Sequence, residues 1–488
     1  MTKKIWAFLL AFALLTSWAP FAMASELEVE SAPMETENEA AESDQEQFAD
    51  AEDPENAQLN EAVALYEAGE YEEALGKFLT LAEAGNATAM AWTGFLYEQG
   101  LGTEKSVDEA MRWFTQAAEL GDGYSMQYIG RLYYFGKLND AGEADYAQAL
   151  EWTQQAYDSG HVDAEMLEAV GLMYFFGNGT QTDYDQAEYW LTLAAELDRT
   201  EAMHRLGEIY DSHREDVEDH NAIARQWYER GAELDDASCK YHLACYMIDE
   251  ATSEEEINRG MELCLEVAEA GNVPAMGKLA QLAMENGQYE TAYAWLRKGE
   301  ESGSEYSYIY DSLGFLYASG HVNGEADYEQ AAHYHEHAAE LGSGYALYQI
   351  GIMYQEGQHY EKSEEKAQEY FLMAEEAGYA QSAEKLAQIA MEKQDYETAY
   401  TWFSEAEEAG SEYSYVYDSL GFLYASGYVN GEADYEQAAH YYEHAAELGS
   451  GYALYQIGIM YQEGQHYEKS EEKAQKYFLM AEEAGYIE

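Results

Sequence analysis

The feature that most constrains this chain is a small residue that returns at a nearly fixed interval. Gly94, Gly130, Gly171, Gly207, Ala244, Ala280, Gly314, Gly351, Ala387, Gly421 and Gly458 follow one another at spacings of 34 to 41 residues. A period in this range marks a solenoid of helix pairs. No unit can bury its apolar faces alone, and stacked neighbours make one continuous core. A degenerate unit around Ala62 precedes the series. The pattern therefore predicts an all-α fold, a right-handed superhelical α-solenoid of about twelve helix-turn-helix repeats.

Each unit shares one grammar. The residue before the small one is apolar, as in Ile129, Val170, Leu206, Leu243, Leu313 and Ile350. Tyr recurs three residues after it, as in Tyr97, Tyr133, Tyr174, Tyr210, Tyr317, Tyr354, Tyr424 and Tyr461. These offsets share one helix face. A Gly-rich or polar loop follows, and the second helix carries Ala with an aromatic three residues on: Ala110/Trp113, Ala149/Trp152, Ala187/Trp190, Ala224/Trp227, Ala292/Trp295 and Ala399/Trp402. The expectation is that this aromatic fills the space beside the small residue. The second helix usually closes on Gly, as at Gly85, Gly121, Gly160 and Gly271, where a left-handed cap is wanted. With only four Pro in 488 residues, nothing interrupts helices on a large scale.

The combined string Ala-x-x-x-[Leu/Ile]-Gly-x-[Leu/Met]-Tyr, a loop, then Ala-x-x-Trp-x-x-x-Ala-Ala-Glu-x-Gly resembles the Sel1-like repeat. A full instance runs from Ala89-Met90 through Gly94, Tyr97 and Gly100 to Ala110, Trp113, Ala117-Ala118-Glu119 and Gly121. Units with short loops around Tyr71, Tyr289 and Tyr396 look closer to tetratricopeptide repeats, which share the helix-pair solenoid. The resemblance implies a protein-binding scaffold whose first helices line the concave surface. It also touches a cysteine-rich branch credited with β-lactam chemistry, but the regular Cys pairs of that branch are absent here. Cys239, Cys245 and Cys264 all fall in one unit. Cys239 and Cys264 stand where Ala89 and Phe114 stand elsewhere, so they read as buried hydrophobes, with one intra-repeat disulfide as the alternative.

Outside the repeats, residues 1–24 read as a signal peptide: Lys3 and Lys4, an apolar run from Ile5 to Leu15, then Ala22-Met23-Ala24. Residues 25–55 are acidic and poor in large apolar side chains, so they read as a disordered tether, with the solenoid spanning 56–488. Localisation is expected to be secreted, periplasmic or extracellular, with no membrane span after cleavage. The formal net charge is −72; losing the segment removes two Lys and no acid, giving −74. Such a chain repels nucleic acid and anionic lipid, and favours a basic partner, a cation or a salty medium.

A three-unit block has been duplicated, over about 272–378 and 379–485. Gly303–Tyr379 and Gly410–Tyr486 align at an offset of 107 and differ at only four of 77 positions: Ile309/Val416, His321/Tyr428, His335/Tyr442 and Glu369/Lys476.

No nucleophile, zinc-hydrolase, phosphate-loop or dinucleotide motif is present, and no cofactor is expected. The nearest approach to a metal motif is His333 and His337 at i and i+4, repeated as His440 and His444; Arg112 and Gln116 hold the same places elsewhere, which suggests a solvated face. More informative are three first-helix columns of mixed character, hence expected to be exposed. One holds Thr88, Tyr124, Glu201, Tyr308, Tyr345, Tyr415 and Tyr452; the second holds Trp92, Tyr128, Arg205 and His242; the third holds Gln127, His204, Asp311, Tyr348, Asp418 and Tyr455. Tyr in such columns is not demanded by the core. Tyr124, Tyr128, Tyr308, Tyr345, Tyr348, Tyr415, Tyr452 and Tyr455 are therefore candidate contacts for a protein or peptide with basic segments. The alternatives are an envelope-associated hydrolase acting on cell-wall or β-lactam amides, and an acidic cation-binding structural protein.

Overall fold

The computed structural model describes residues 54–138, 142–214 and 216–486. The signal segment 1–24 and residues 25–53 of the tether lie outside the described residues. The described residues form twenty-four α-helices and no strand. The first helix, Pro54–Glu67, begins two residues before the expected boundary. Proline suits a helix start, because the N–H it lacks would have no intrahelical partner there.

Taken in order the helices make twelve antiparallel pairs, such as Ala87–Gln99 with Val107–Glu119 and Gly344–Glu356 with Glu364–Glu376. Short polar residues start them. The side chains of Asn86, Ser106, Asp122, Asp183, Ser363 and Asp434 each accept the backbone N–H three residues on, satisfying a donor that the first turn leaves open. Glycine ends many of them. Gly100 and Gly357 cap first helices at φ 72° and 74°, and the predicted second-helix closers Gly121 and Gly271 lie at φ 90° and 102°.

The small-residue column works as a contact point. A Cβ on Gly94 would meet the Phe114 ring at 3.0 Å, one on Gly171 the Leu191 side chain at 2.6 Å, and one on Gly421 the Tyr442 ring at 2.7 Å. The expected occupant is corrected here. The side chain against the glycine comes four residues after the Ala, not three: Phe114, Leu191, Tyr228, His335, Phe371, Tyr442 and Phe478. The Trp beside it turns toward the preceding repeat. Trp190 meets Tyr157 edge-on at 4.7 Å, and Trp113 joins a core with Phe78, Ala82, Ala89 and Met90. One helical step of 100° separates the two roles.

The described residues fall into two compact units, divided between Val267 and Ala268. The first has its main core around Met173, Trp190, Met203, Leu206, Tyr228 and Cys239. The second holds both copies of the duplicated block, with a core around Phe403, Leu420, Leu423, Tyr442 and Ile457. Cys239 and Cys264 are buried.

Candidate functional site

Three residues before the small residue lies a column that includes Gln127, Glu168, His204, Asp311, Glu384 and Asp418. Three residues is just under one turn, so these side chains share the face of the small residue. Gln127, His204, Asp311 and Asp418 were expected to be exposed; they, like Glu168 and Glu384, are instead buried or half-buried. The start of the next repeat covers them and, at every one but His204, bonds to them. Gln127 Nε2 donates to Asp163. Arg199 Nε and Nη2 donate to the Glu168 carboxylate at 3.0 and 2.6 Å. Ser343 Oγ donates to Asp311 Oδ2 at 2.7 Å, and Ser450 Oγ to Asp418 at 2.7 and 2.8 Å. Asp163, Arg199, Ser343 and Ser450 all sit at the N-cap of the following first helix. Glu384, 7% exposed, accepts from Ser411 Oγ at 2.7 Å and from Tyr415 Oη at 2.5 Å. At five of these six positions the column is thus a polar rung tying one first helix to the next.

Of the eight candidate tyrosines, Tyr124 and Tyr308 are exposed and the other six are half-buried. Tyr124 and Tyr128 lie in the first unit, with ring centroids 5.8 Å apart, and the other six lie in the second. Tyr345 and Tyr348 stand 5.8 and 5.1 Å from Tyr379, and their copies Tyr452 and Tyr455 stand 5.9 and 5.2 Å from Tyr486. Burial pushes the Tyr308, Tyr345 and Tyr348 hydroxyls up to about 12, so these are neutral donors on apolar rings. Tyr379, Tyr413 and Glu384 belong to the same surface and were not anticipated. Glu384 could have been found by extending the third column to every unit.

Next to these tyrosines is a cleft of about 320 Å³ lined by Met284, Tyr289, Asp311, Ser312, Phe315 and Tyr345. Asp311 Oδ1 is shielded there and has no hydrogen-bond partner. Burial raises the Asp311 carboxyl to about 6, against the opposing hydrogen bond from Ser343, and Asp418 is raised to about 6 in the same way. The six lining residues recur in the second copy as Met391, Tyr396, Asp418, Ser419, Phe422 and Tyr452.

The two histidine pairs differ in their surroundings. His333 and His440 are exposed. His337 and His444 lean on Tyr310 and Tyr417, each at 4.2 Å, and His337 Nδ1 lies 3.6 Å from Glu340. Among the described residues a different group, His204, Glu208 and His242, brings three potential ligand atoms within 4.8 Å of one another. His204 and His242 stood in the columns expected to be exposed. His204 is buried at 8% exposure and His242 is half-buried, because the Tyr228 ring stacks on His242 at 4.6 Å.

Comparison with known proteins agrees with this architecture. The family model described as Sel1 repeat matches residues 87–122, 123–161, 164–198, 200–236, 273–304, 312–343, 344–379, 389–411, 419–450 and 451–486, more than half of the chain. The crystal structure of c5321, a protective antigen of uropathogenic Escherichia coli with an SLR fold, is similar at 26% identity and a TM-score of 0.53, over 84% of this chain and 89% of that one. A Sel1 repeat protein from Oxalobacter formigenes is 22% identical, with a TM-score of 0.49, over 64% of this chain and 89% of that one. A putative sel1-like repeat-containing protein, L21, of Acanthamoeba polyphaga mimivirus is 26% identical over 117 residues, 24% of this chain; the chain spans 20% of that relative's length.

Proposed function

Because the chain belongs to the Sel1 repeat family, we propose that it is a binding scaffold whose second unit captures basic side chains of a partner protein on its first-helix surface. Sel1 repeat proteins generally mediate protein–protein interaction and are typically non-enzymatic scaffolds. The observation that carries the finer reading is the Asp311 cleft. Asp311 lines the cleft with Tyr289, Phe315 and Tyr345, and its Oδ1 has no hydrogen-bond partner. A Lys or Arg stem packs against rings of this kind while its head meets the acid, and a buried charge needs such a partner. The duplicated block supplies Asp418 among the same residue types, there with both carboxylate oxygens within reach of Ser450 Oγ, so a partner with two spaced basic residues would meet an acid in each copy. The net charge of −72 draws such a partner in.

Display of random peptides against the purified chain tests this. The selected peptides should be enriched in Lys and Arg. Their affinity, read by fluorescence anisotropy, should fall with added salt, and fall again as pH drops through about 6, where Asp311 and Asp418 become neutral. The double substitution Asp311→Asn/Asp418→Asn should weaken them by about tenfold or more, as loss of a charged partner does. Both sites are changed because one copy can substitute for the other. Selected peptides without a basic excess, or affinities that the double substitution leaves untouched, would remove this surface from consideration.

A further inference from the structure

We propose that His204, Glu208 and His242 form a three-ligand site for a late first-row divalent transition-metal ion, zinc by its chemistry, which pins the first helices of two adjacent repeats together. His204 and Glu208 lie one turn apart on Thr200–Ser212, and His242 lies on the next first helix, Ala237–Asp249. One ligand atom from each falls within 4.8 Å of the other two. Zinc bonds of about 2.0–2.1 Å place tetrahedral ligands about 3.4 Å apart, so side-chain rotations of about an ångström close the site.

The polar ladder shows why this rung differs. At the equivalent place Glu168, Asp311 and Asp418 each hydrogen-bond the next repeat. His204 does not. Its ring is buried, and Nδ1 and Nε2 both lack a hydrogen-bond partner. The carboxylates nearest to them stand at 3.9 Å for Glu201 and 3.8 Å for Glu208, too far for a hydrogen bond. The Tyr228 hydroxyl, on the ring that stacks against His242, is also buried without a partner. Buried polar atoms without partners are costly and call for one.

Neighbouring groups present the ligands. Arg205 holds Glu208 Oε2 at 2.6 Å and Glu201 Oε1 at 2.7 Å. That leaves Glu208 Oε1 facing His204 Nε2. The Arg205 guanidinium itself leans over the Phe175 and Phe176 rings. Stacking on Tyr228 fixes the plane of His242. Two imidazoles and one carboxylate suit zinc and its neighbours rather than calcium or magnesium, which take oxygen ligands. Three protein ligands leave a fourth position for water.

The test uses the full chain, stripped with a chelator and titrated with Co²⁺ as a visible reporter. One equivalent should give the intense d–d absorption of a four-coordinate site, and Zn²⁺ should bleach it by displacing Co²⁺. His242→Gln and Glu208→Gln should each lower affinity by about 100-fold or more, since even the groups behind a ligand are worth about 10–100-fold. His333→Gln/His337→Gln should leave the spectrum as it was. Circular dichroism of each variant checks that the helices remain; Glu208, at 29% side-chain exposure, tolerates substitution if His242 does not. Weak six-coordinate bands alone, or a four-coordinate signal that survives both ligand substitutions, would overturn the site. So would a signal lost with His333 and His337.

Discussion

Asp311 and Asp418 hold protons more tightly than the unfolded chain does. Their carboxyls sit near 6 rather than 3.8 because burial disfavours the charge. The native state is therefore favoured while both states keep the proton, below about pH 4, and this advantage is lost as pH rises through about 6. Replacing both by Asn removes the ionisation and keeps an oxygen for Ser343 and Ser450. The doubly substituted protein should match the parent at pH 4 and exceed it at pH 7 by about 1–2 kcal/mol, after discounting for partial exposure. Urea midpoints across that range measure it. A gain that is the same at every pH would show that charge is not the cause. The same substitution is expected to weaken capture of basic peptides, so at this residue stability and binding oppose each other.

Two glycines in helices show what packing adds at the scale of the element. Gly94 lies where Ala87–Gln99 crosses Val107–Glu119; a Cβ there meets Phe114 at 3.0 Å and the Ala110 carbonyl at 3.1 Å. Gly76, in Tyr71–Glu83, has nothing within 4 Å of such an atom. Gly94→Leu should cost about 1–3 kcal/mol through overpacking. Gly76→Ala should gain about 0.5–1 kcal/mol through reduced freedom of the unfolded chain. Denaturant curves of the two variants, shifting in opposite directions, are the expected result. The 34–41-residue spacing predicted a contact at Gly94, and the structure bears that out. It could not tell that Phe114 rather than Trp113 fills it, because neighbouring residues on a helix differ by 100° and both are large and apolar.

Charge sets the behaviour of the whole molecule. With 96 acidic and 24 basic residues, most carboxylates have no cation to pair with. Their repulsion favours expansion, and salt screens it. Raising NaCl from about 0.05 to about 0.5 M should therefore raise Tm, by about 2–4 °C for each kcal/mol of repulsion relieved. A thermal melt at the two concentrations decides it, and a Tm that falls would point to stabilising ion pairs such as Arg199–Glu168 as the dominant electrostatic effect.

The sequence by itself determined the helix pairs, their number, their caps and the small-residue contact, because each is written in local spacing: Asp183 begins a helix and Gly357 ends one wherever the chain goes next. It also placed the eight candidate tyrosines on first helices. Only the tertiary structure decided the fate of the column three residues before the small one. Gln127, His204, Asp311 and Asp418 look alike in being polar and variable, which reads as exposure. Whether such a side chain meets water, a capping serine, an arginine or a second histidine depends on what the next repeat, some 27 to 38 residues along the chain, brings against it. Burial and orphaned polar atoms are properties of that juxtaposition, and no single helix carries them.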